Sequence, residues 1–186
     1  SGSLHQKTLS VNSAGTAMRF LTAYLAIQKE EVDLTGDQRM KERPIKVLVD
    51  ALKELGAEIT HTEKEGYPPL KIKGKKLVGG KLTIDGSVSS QYISALLMIA
   101  PKLENGLSIE FEGEIISKPY INMTIAMMRH FGADVVWKKN TIVVEKGNYI
   151  AKDFKVEADW SAASYWYGMI ALAKEADVTL LGLKKE

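Results

Sequence analysis

The sequence predicts an α/β (α+β) fold, made from a repeated βαβαββ unit with apolar helices packed parallel in its interior. Three observations predict it. Helix-like and strand-like segments follow the order strand, helix, strand, helix, strand, strand twice over, and a third copy begins. Marker residues recur at a near-fixed period. Ser13, Ser89 and Ser161 each open an apolar helical run, 76 and 72 residues apart, and Pro44 and Pro119, 75 apart, each stand near the start of the next helix. The helices are also of two kinds, one apolar nearly all round and one striped. A sustained period of this sort means a repeated supersecondary unit.

In chain order, residues 4–11 (LHQKTLSV) are strand-like, and 13–29 (SAGTAMRFLTAYLAIQK) are helical. A strand at 32–36 leads to a charged loop and a helix over 43–56. In that helix Ile45, Leu48, Val49, Leu52 and Leu55 share one face, the stripe of a surface helix. Strands at 57–63 and 70–74 are joined by the turn EGYPP. The second unit repeats the series: a strand at 81–85, a helix at 89–103, a strand at 107–113, a helix at 117–132, then a hairpin of 133–139 and 141–147. Both striped helices end in Gly-Ala, at Gly56–Ala57 and Gly132–Ala133. A strand at 153–159, a helix at 161–174 and a strand at 177–183 open the third copy. The runs YISALLMIA and YWYGMIALA carry no charge, the composition of a buried helix.

Composition narrows the function classes. The 186 residues are 45% hydrophobic and 26% charged, ordinary for a globular chain, and suffice for a proper core. A net charge of +2 is too small to argue for nucleic acid. No apolar run reaches a membrane span; ISALLMIA is too short and Pro101 closes it. With no Cys, disulfides and thiolate metal sites are out. His5, His61 and His130 have no metal-ligand spacing, so no metal is expected, and a reducing cytoplasm fits. No Ser/His/Asp arrangement or phosphate-binding P-loop can be assembled. Residues 1–3 (SGS) have the look of a cloning scar.

The helix starts carry the chemistry. Ser, Thr and Asn there ordinarily cap free backbone N–H groups. Parallel buried helices, however, point their N-termini the same way, and their dipoles and free N–H groups form an electropositive patch suited to phosphate or carboxylate. Gly15 allows close approach to the backbone. The segment DQRMKERPI sets Arg39, Lys41 and Arg43 between a strand and a helix, and Lys118 repeats the pattern before Pro119. Arg19, inside an apolar helix, requires a partner, either a carboxylate such as Glu42 or a bound anion. From the residues alone the chain is an anion-binding α/β repeat domain.

Five segments, SAGTAMR, LTGDQRMKERPI, GSVSSQYISALLM, ISKPYI and EADWSAASYW, occur in that order in the 3-phosphoshikimate 1-carboxyvinyltransferase (EPSP synthase) family. The chain resembles that family from about residue 10 to 183. The related enolpyruvyl transferase acting on UDP-N-acetylglucosamine shares the fold without these motifs. The resemblance implies the inside-out α/β barrel of the enolpyruvyl transferases, incomplete in this chain. It implies transfer of the enolpyruvyl group of phosphoenolpyruvate to the 5-hydroxyl of shikimate 3-phosphate, through a tetrahedral intermediate and with release of phosphate. No metal or organic cofactor is implied, and the partners are the two anionic substrates, not nucleic acid or membrane. The family is the target of glyphosate, which competes with phosphoenolpyruvate.

By the same resemblance, Ser89, Ser90, Gln91, Ser117 and Tyr120 bind shikimate 3-phosphate, while Gly15, Arg39 and Gln91 contact phosphoenolpyruvate. Arg19 and Asp159 support the site. Two positions depart from many members: Ser13 stands where Asn is common, and Phe20 where Pro bears on glyphosate sensitivity. Members are more than twice as long. On that pattern residues 1–152 are the second and third units of the N-terminal domain, and 153–186 cross into the other domain. The acid and base residues would then lie outside this chain, leaving it inactive alone, an anion-binding half-site. The full-length protein is expected to be a monomer, and the fragment, with apolar helix faces uncovered, to self-associate.

Overall fold

The computed structural model describes residues 7–184. The remainder of the first expected strand, Leu4 to Gln6, and the SGS segment lie outside the described residues. The chain divides into two compact units between Ala151 and Lys152.

The first unit contains two copies of one arrangement. The first copy runs β1 (Lys7–Ser10), α1 (Gly15–Ala26), β2 (Glu31–Thr35), α2 (Gln38–Lys41), α3 (Lys46–Glu54), β3 (Glu58–His61) and β4 (Leu70–Lys73). The second runs β5 (Gly80–Asp85), α4 (Ser90–Ile99), β6 (Leu107–Glu112), α5 (Lys118–His130), β7 (Val135–Lys138) and β8 (Thr141–Val144). The sheet orders are β1-β2-β4-β3 and β5-β6-β8-β7. In each, the first pair is parallel, with Leu9 opposite Leu34 and Leu82 opposite Ile109, and the other pairs are antiparallel. The parallel pairs need a crossover, which α1 and α4 supply. One topology drawn twice is the repeat expected from the sequence.

Alternation decides which face of each strand turns inward. Val32 and Leu34 of β2, Leu70 and Ile72 of β4, and Leu107, Ile109 and Phe111 of β6 are buried. Each such Leu or Ile contributes about 1.5–3 kcal/mol relative to exposure. Opposite them lies the helical layer, in which α1 packs on α4 and α4 on α5. Helices α1 and α4 run parallel. Thr16 and Gln91, near their starts, are hydrogen bonded, and both C-terminal ends line one apolar groove of about 580 Å³.

The Gly-Ala pairs now have a physical reason. After α3, Gly56 N–H donates to Lys53 O and Ala57 N–H to Leu52 O; after α5, Gly132 N–H donates to Arg129 O and Ala133 N–H to Met128 O. These are two Schellman caps, which place a left-handed residue just past the helix. Gly56 (φ 98°) and Gly132 (φ 89°) occupy that position.

Several expectations need correction. The segment read as a charged loop includes a helical turn, α2, because Asp37 accepts from Met40 N–H at 2.9 Å and caps it. Helix α4 stops at Ile99, and a 3₁₀ turn, Ala100–Lys102, carries the chain to Leu103, since Pro101 has no N–H to continue the ladder. Ser13 does not cap α1. Its N-cap is Ala14, and the Ser13 hydroxyl bonds the Asp37 carboxylate instead. Ser161 does not open α6 (Trp160–Leu172); Asp159 caps it, accepting from Ser161 N–H at 2.7 Å. Of the three serines only Ser89 is an N-cap.

The second unit departs furthest. Residues 153–159 and 177–183 are not strands. One backbone hydrogen bond, from Ala158 N–H to Gly182 O at 3.0 Å, joins them among the described residues, and a ladder needs a run of such bonds. Helix α6 was expected to be buried, yet Ala163 is its only buried residue, with Tyr165 75% and Leu172 90% exposed. Among its described residues the unit has no sheet to receive an apolar helix.

Candidate anion-binding site

The site is built where the helix starts of the first unit meet. Gln91 Nε2 donates to Thr16 Oγ1 at 3.0 Å, which ties the first turn of α4 to the first turn of α1. Ile116 N–H donates to Gly86 O at 3.3 Å, which ties the segment before α5 to the segment before α4. Gly86 is required there, because a Cβ would lie 2.8 Å from Glu114 O. Three N-termini therefore gather at one end of the helical layer. Each brings backbone N–H groups without intrahelical partners and the positive end of its dipole.

The hydroxyls differ in what they already do. Ser89 Oγ accepts from Gln91 N–H at 3.3 Å, a long bond that an incoming anion can displace. Ser117 is the N-cap of α5 but makes no capping bond, so its hydroxyl is available. Ser90 opens α4 beside them, and Tyr120 is exposed on the first turn of α5. The Ser89, Ser90, Gln91, Ser117 and Tyr120 set thus sits on two adjoining helix starts.

A second part faces α1. Ser13, Arg39, Met40 and Arg43 line a cleft of about 450 Å³. Arg39 rides on α2, whose turn is fixed by Asp37. The hydroxyl of Ser13 and the amide of Met40 both donate to Asp37 and hold its carboxyl below the usual value. Gly15 also has a neighbour that the sequence did not suggest. A Cβ at Gly15 would lie 2.2 Å from Arg43 Nη1, so the space above its backbone holds the Arg43 guanidinium. Arg43 was read only as part of a charged loop. Its signal was its place immediately before Pro44, which fixes the chain direction as α3 begins.

Arg19 is 4% exposed. Among the described residues it pairs with no carboxylate, neither Glu42 nor another. Its Nη1 donates to Gly15 O at 3.1 Å and its Nη2 to Pro44 O at 3.0 Å, and its Cζ stands 5.9 Å from the centroid of the Tyr92 ring. Carbonyl dipoles satisfy the donors but leave the charge uncompensated. The positive potential at the helix starts therefore includes Arg19, although its side chain is buried.

A family model described as EPSP synthase (3-phosphoshikimate 1-carboxyvinyltransferase) matches residues 2–186. The chain belongs to this family. It is 52% identical over 178 residues to a 3-phosphoshikimate 1-carboxyvinyltransferase of Bacteroides fragilis, covering 95% of this chain and 43% of the relative. A relative of the same name from Haemophilus influenzae is 50% identical over 181 residues, covering 94% of this chain and 42% of its own length. The solved EPSP synthase of Acinetobacter baumannii superposes with a TM-score of 0.77 at 27% identity, over 97% of this chain and 40% of that one. The chain thus spans less than half the length of these relatives. The α/β repeat described above is a partial domain of the EPSP synthase fold.

The expected residues of this EPSP synthase family member fall into three places. Ser89, Ser90, Gln91, Ser117 and Tyr120 lie at the starts of α4 and α5, while Gly15, Arg19 and Arg39 lie around α1 and α2, with Gln91 bonded across to Thr16. Asp159 belongs to the second unit, where it caps α6. Among the described residues no group of three or more His, Cys, Asp or Glu could hold a metal ion, and no helix is long and apolar enough to cross a membrane.

Proposed function

We propose that this chain forms one half of the substrate site for enolpyruvyl transfer from phosphoenolpyruvate to the 5-hydroxyl of shikimate 3-phosphate, with release of phosphate. The observation that carries the reading is the meeting of the α1, α4 and α5 starts beside Arg39 and Arg43, an arrangement suited to two anions. Ser89, Ser90, Gln91, Ser117 and Tyr120 take shikimate 3-phosphate. Gly15, Arg39 and Gln91 take phosphoenolpyruvate, with Arg19 in support. Proton transfer is assigned to the part of the relatives' length not matched here, so the chain binds without turning over. The same reading makes the complete protein a cytoplasmic enzyme and a glyphosate target.

Calorimetric titration with shikimate 3-phosphate tests it. Saturable binding is expected, weakened about 10- to 100-fold by Ser117→Ala, the loss of one hydrogen bond to a charged group. Absence of heat up to millimolar ligand would refute a preformed half-site. A second reading, association through apolar faces, is favoured by the exposure of α6 and predicts a mass above that of one chain in light scattering.

A further inference from the structure

We infer that Tyr92 is a positioning residue of the phosphoenolpyruvate half of the site, and that it acts by holding the arginine-bearing segment over α1. The inference rests on the proposed function above. Tyr92 lies in the first turn of α4, next to Gln91, and its partly buried ring packs against the core. Its hydroxyl donates to the carbonyl of Pro44 at 2.7 Å. That carbonyl also receives Arg19 Nη2 at 3.0 Å. Pro44 directly follows Arg43, whose guanidinium rests on Gly15.

The geometry makes Pro44 O a junction. Two donors from two helices, Arg19 of α1 and Tyr92 of α4, meet on one acceptor of the segment that presents Arg39 and Arg43. Proline has no N–H, so no backbone donor of its own can anchor residue 44. On either side, Arg43 N–H donates to Met40 O and Ile45 N–H to Gly66 O, and residue 44 itself is held from two helices by side chains. The ring face of Tyr92 adds a contact with the Arg19 guanidinium at 5.9 Å, the outer limit of a cation–π interaction. The short phenolic hydrogen bond is the stronger part of the device. Loss of it leaves Pro44 O with Arg19 Nη2 alone and loosens the backbone next to Arg43 and after α2, while leaving the hydroxyls of Ser89, Ser90 and Ser117 in place.

The test separates position from its consequence. Amide hydrogen exchange over residues 39–45 is measured in the wild-type chain, Tyr92→Phe and Tyr92→Leu without ligand. Phosphoenolpyruvate and shikimate 3-phosphate are then titrated separately into each, with Arg39→Ala as reference. Expected are faster exchange in both variants, greater in Tyr92→Leu. The phosphoenolpyruvate Kd rises about tenfold, as for one lost hydrogen bond. The shikimate 3-phosphate Kd changes by less than about twofold, as for a site that does not share the perturbed partner. Tyr92→Phe keeps the ring, so its exchange remains readable if Tyr92→Leu fails to fold. Unchanged exchange overturns the inference whatever the ligands do. Faster exchange with equal losses for both ligands, or with phosphoenolpyruvate binding lost only in Arg39→Ala, reduces Tyr92 to a structural role and overturns it too. A wild-type chain that does not bind phosphoenolpyruvate overturns the reading of the site, and this inference with it.

Discussion

Replacing Gly15 by alanine adds one methyl group at the point where α1 meets Arg43. The new Cβ would lie 2.2 Å from Arg43 Nη1 and 2.7 Å from its Cζ. An unstrained contact is about 3.5 Å, so the guanidinium must withdraw by about 1.3 Å. The obstruction is the far end of a flexible side chain, which yields cheaply. Alanine is also a better helix residue than glycine by up to about 1 kcal/mol. These effects oppose one another, and stability should stay within about 1 kcal/mol of wild type. Binding should not. A displaced guanidinium loses a charge-assisted hydrogen bond worth about 1.5–3 kcal/mol, which raises the phosphoenolpyruvate Kd about 10- to 100-fold. Calorimetry of Gly15→Ala, Arg43→Ala and the double variant, with urea unfolding of each, isolates the cause. If Gly15 acts through Arg43, the double variant binds no worse than Arg43→Ala. Fully additive losses would mean that the methyl group obstructs the ligand itself. Wild-type affinity in Gly15→Ala would refute the coupling of Gly15 to binding through Arg43.

Other expectations follow from the packing. Ser94 Oγ meets Thr124 Oγ1 at 2.8 Å between α4 and α5, and Thr124 Oγ1 also donates to Tyr120 O at 3.1 Å. Ser94→Ala should cost about 1 kcal/mol in urea unfolding, and Thr124→Val more, about 1–3 kcal/mol, because it strands the buried Ser94 hydroxyl. Gly56→Ala and Gly132→Ala should each cost about 1–2 kcal/mol for a left-handed alanine, with the larger loss at Gly132, where the new Cβ meets Ile150 at 3.0 Å. Burial pushes the Tyr149 phenol up to about 12, and its hydroxyl donates to Met98 O at 2.9 Å. The unfolded chain loses that proton near pH 10 and the folded chain near pH 12, so the stability it contributes is complete below pH 10 and is lost as pH rises to 12. Unfolding midpoints of Tyr149→Phe should lack this component of the alkaline decline.

Much of the fold was legible because its signals are local. Alternation of apolar residues needs only a strand and one covered face, and Gly56 and Gly132 mark a cap that a single helix end requires. The serine period was legible for a looser reason. Ser13, Ser89 and Ser161 do stand at three helix starts, but only Ser89 caps one, since an acid competes at the other two. Asp37 engages the hydroxyl of Ser13 from 24 positions away along the chain, and Asp159 caps α6 two residues before Ser161. The strands expected at 153–159 and 177–183 have the right composition, yet a strand exists only with a paired neighbour.

By itself the sequence determined the unit, its two appearances, the parallel interior helices and the positive dipole ends at their starts. Those follow from periodicity, capping and dipoles, which operate within one or two elements. Tertiary structure alone decided which donors meet. Arg19 was visible as a charge without a partner, but that the partner would be two carbonyls and the Tyr92 ring depended on three elements converging. It likewise decided that the backbone of Gly15 is covered by Arg43, and that a proline carbonyl joins α1, α4 and the arginine segment. Distances between side chains far apart in sequence are set by packing, and no local pattern encodes them.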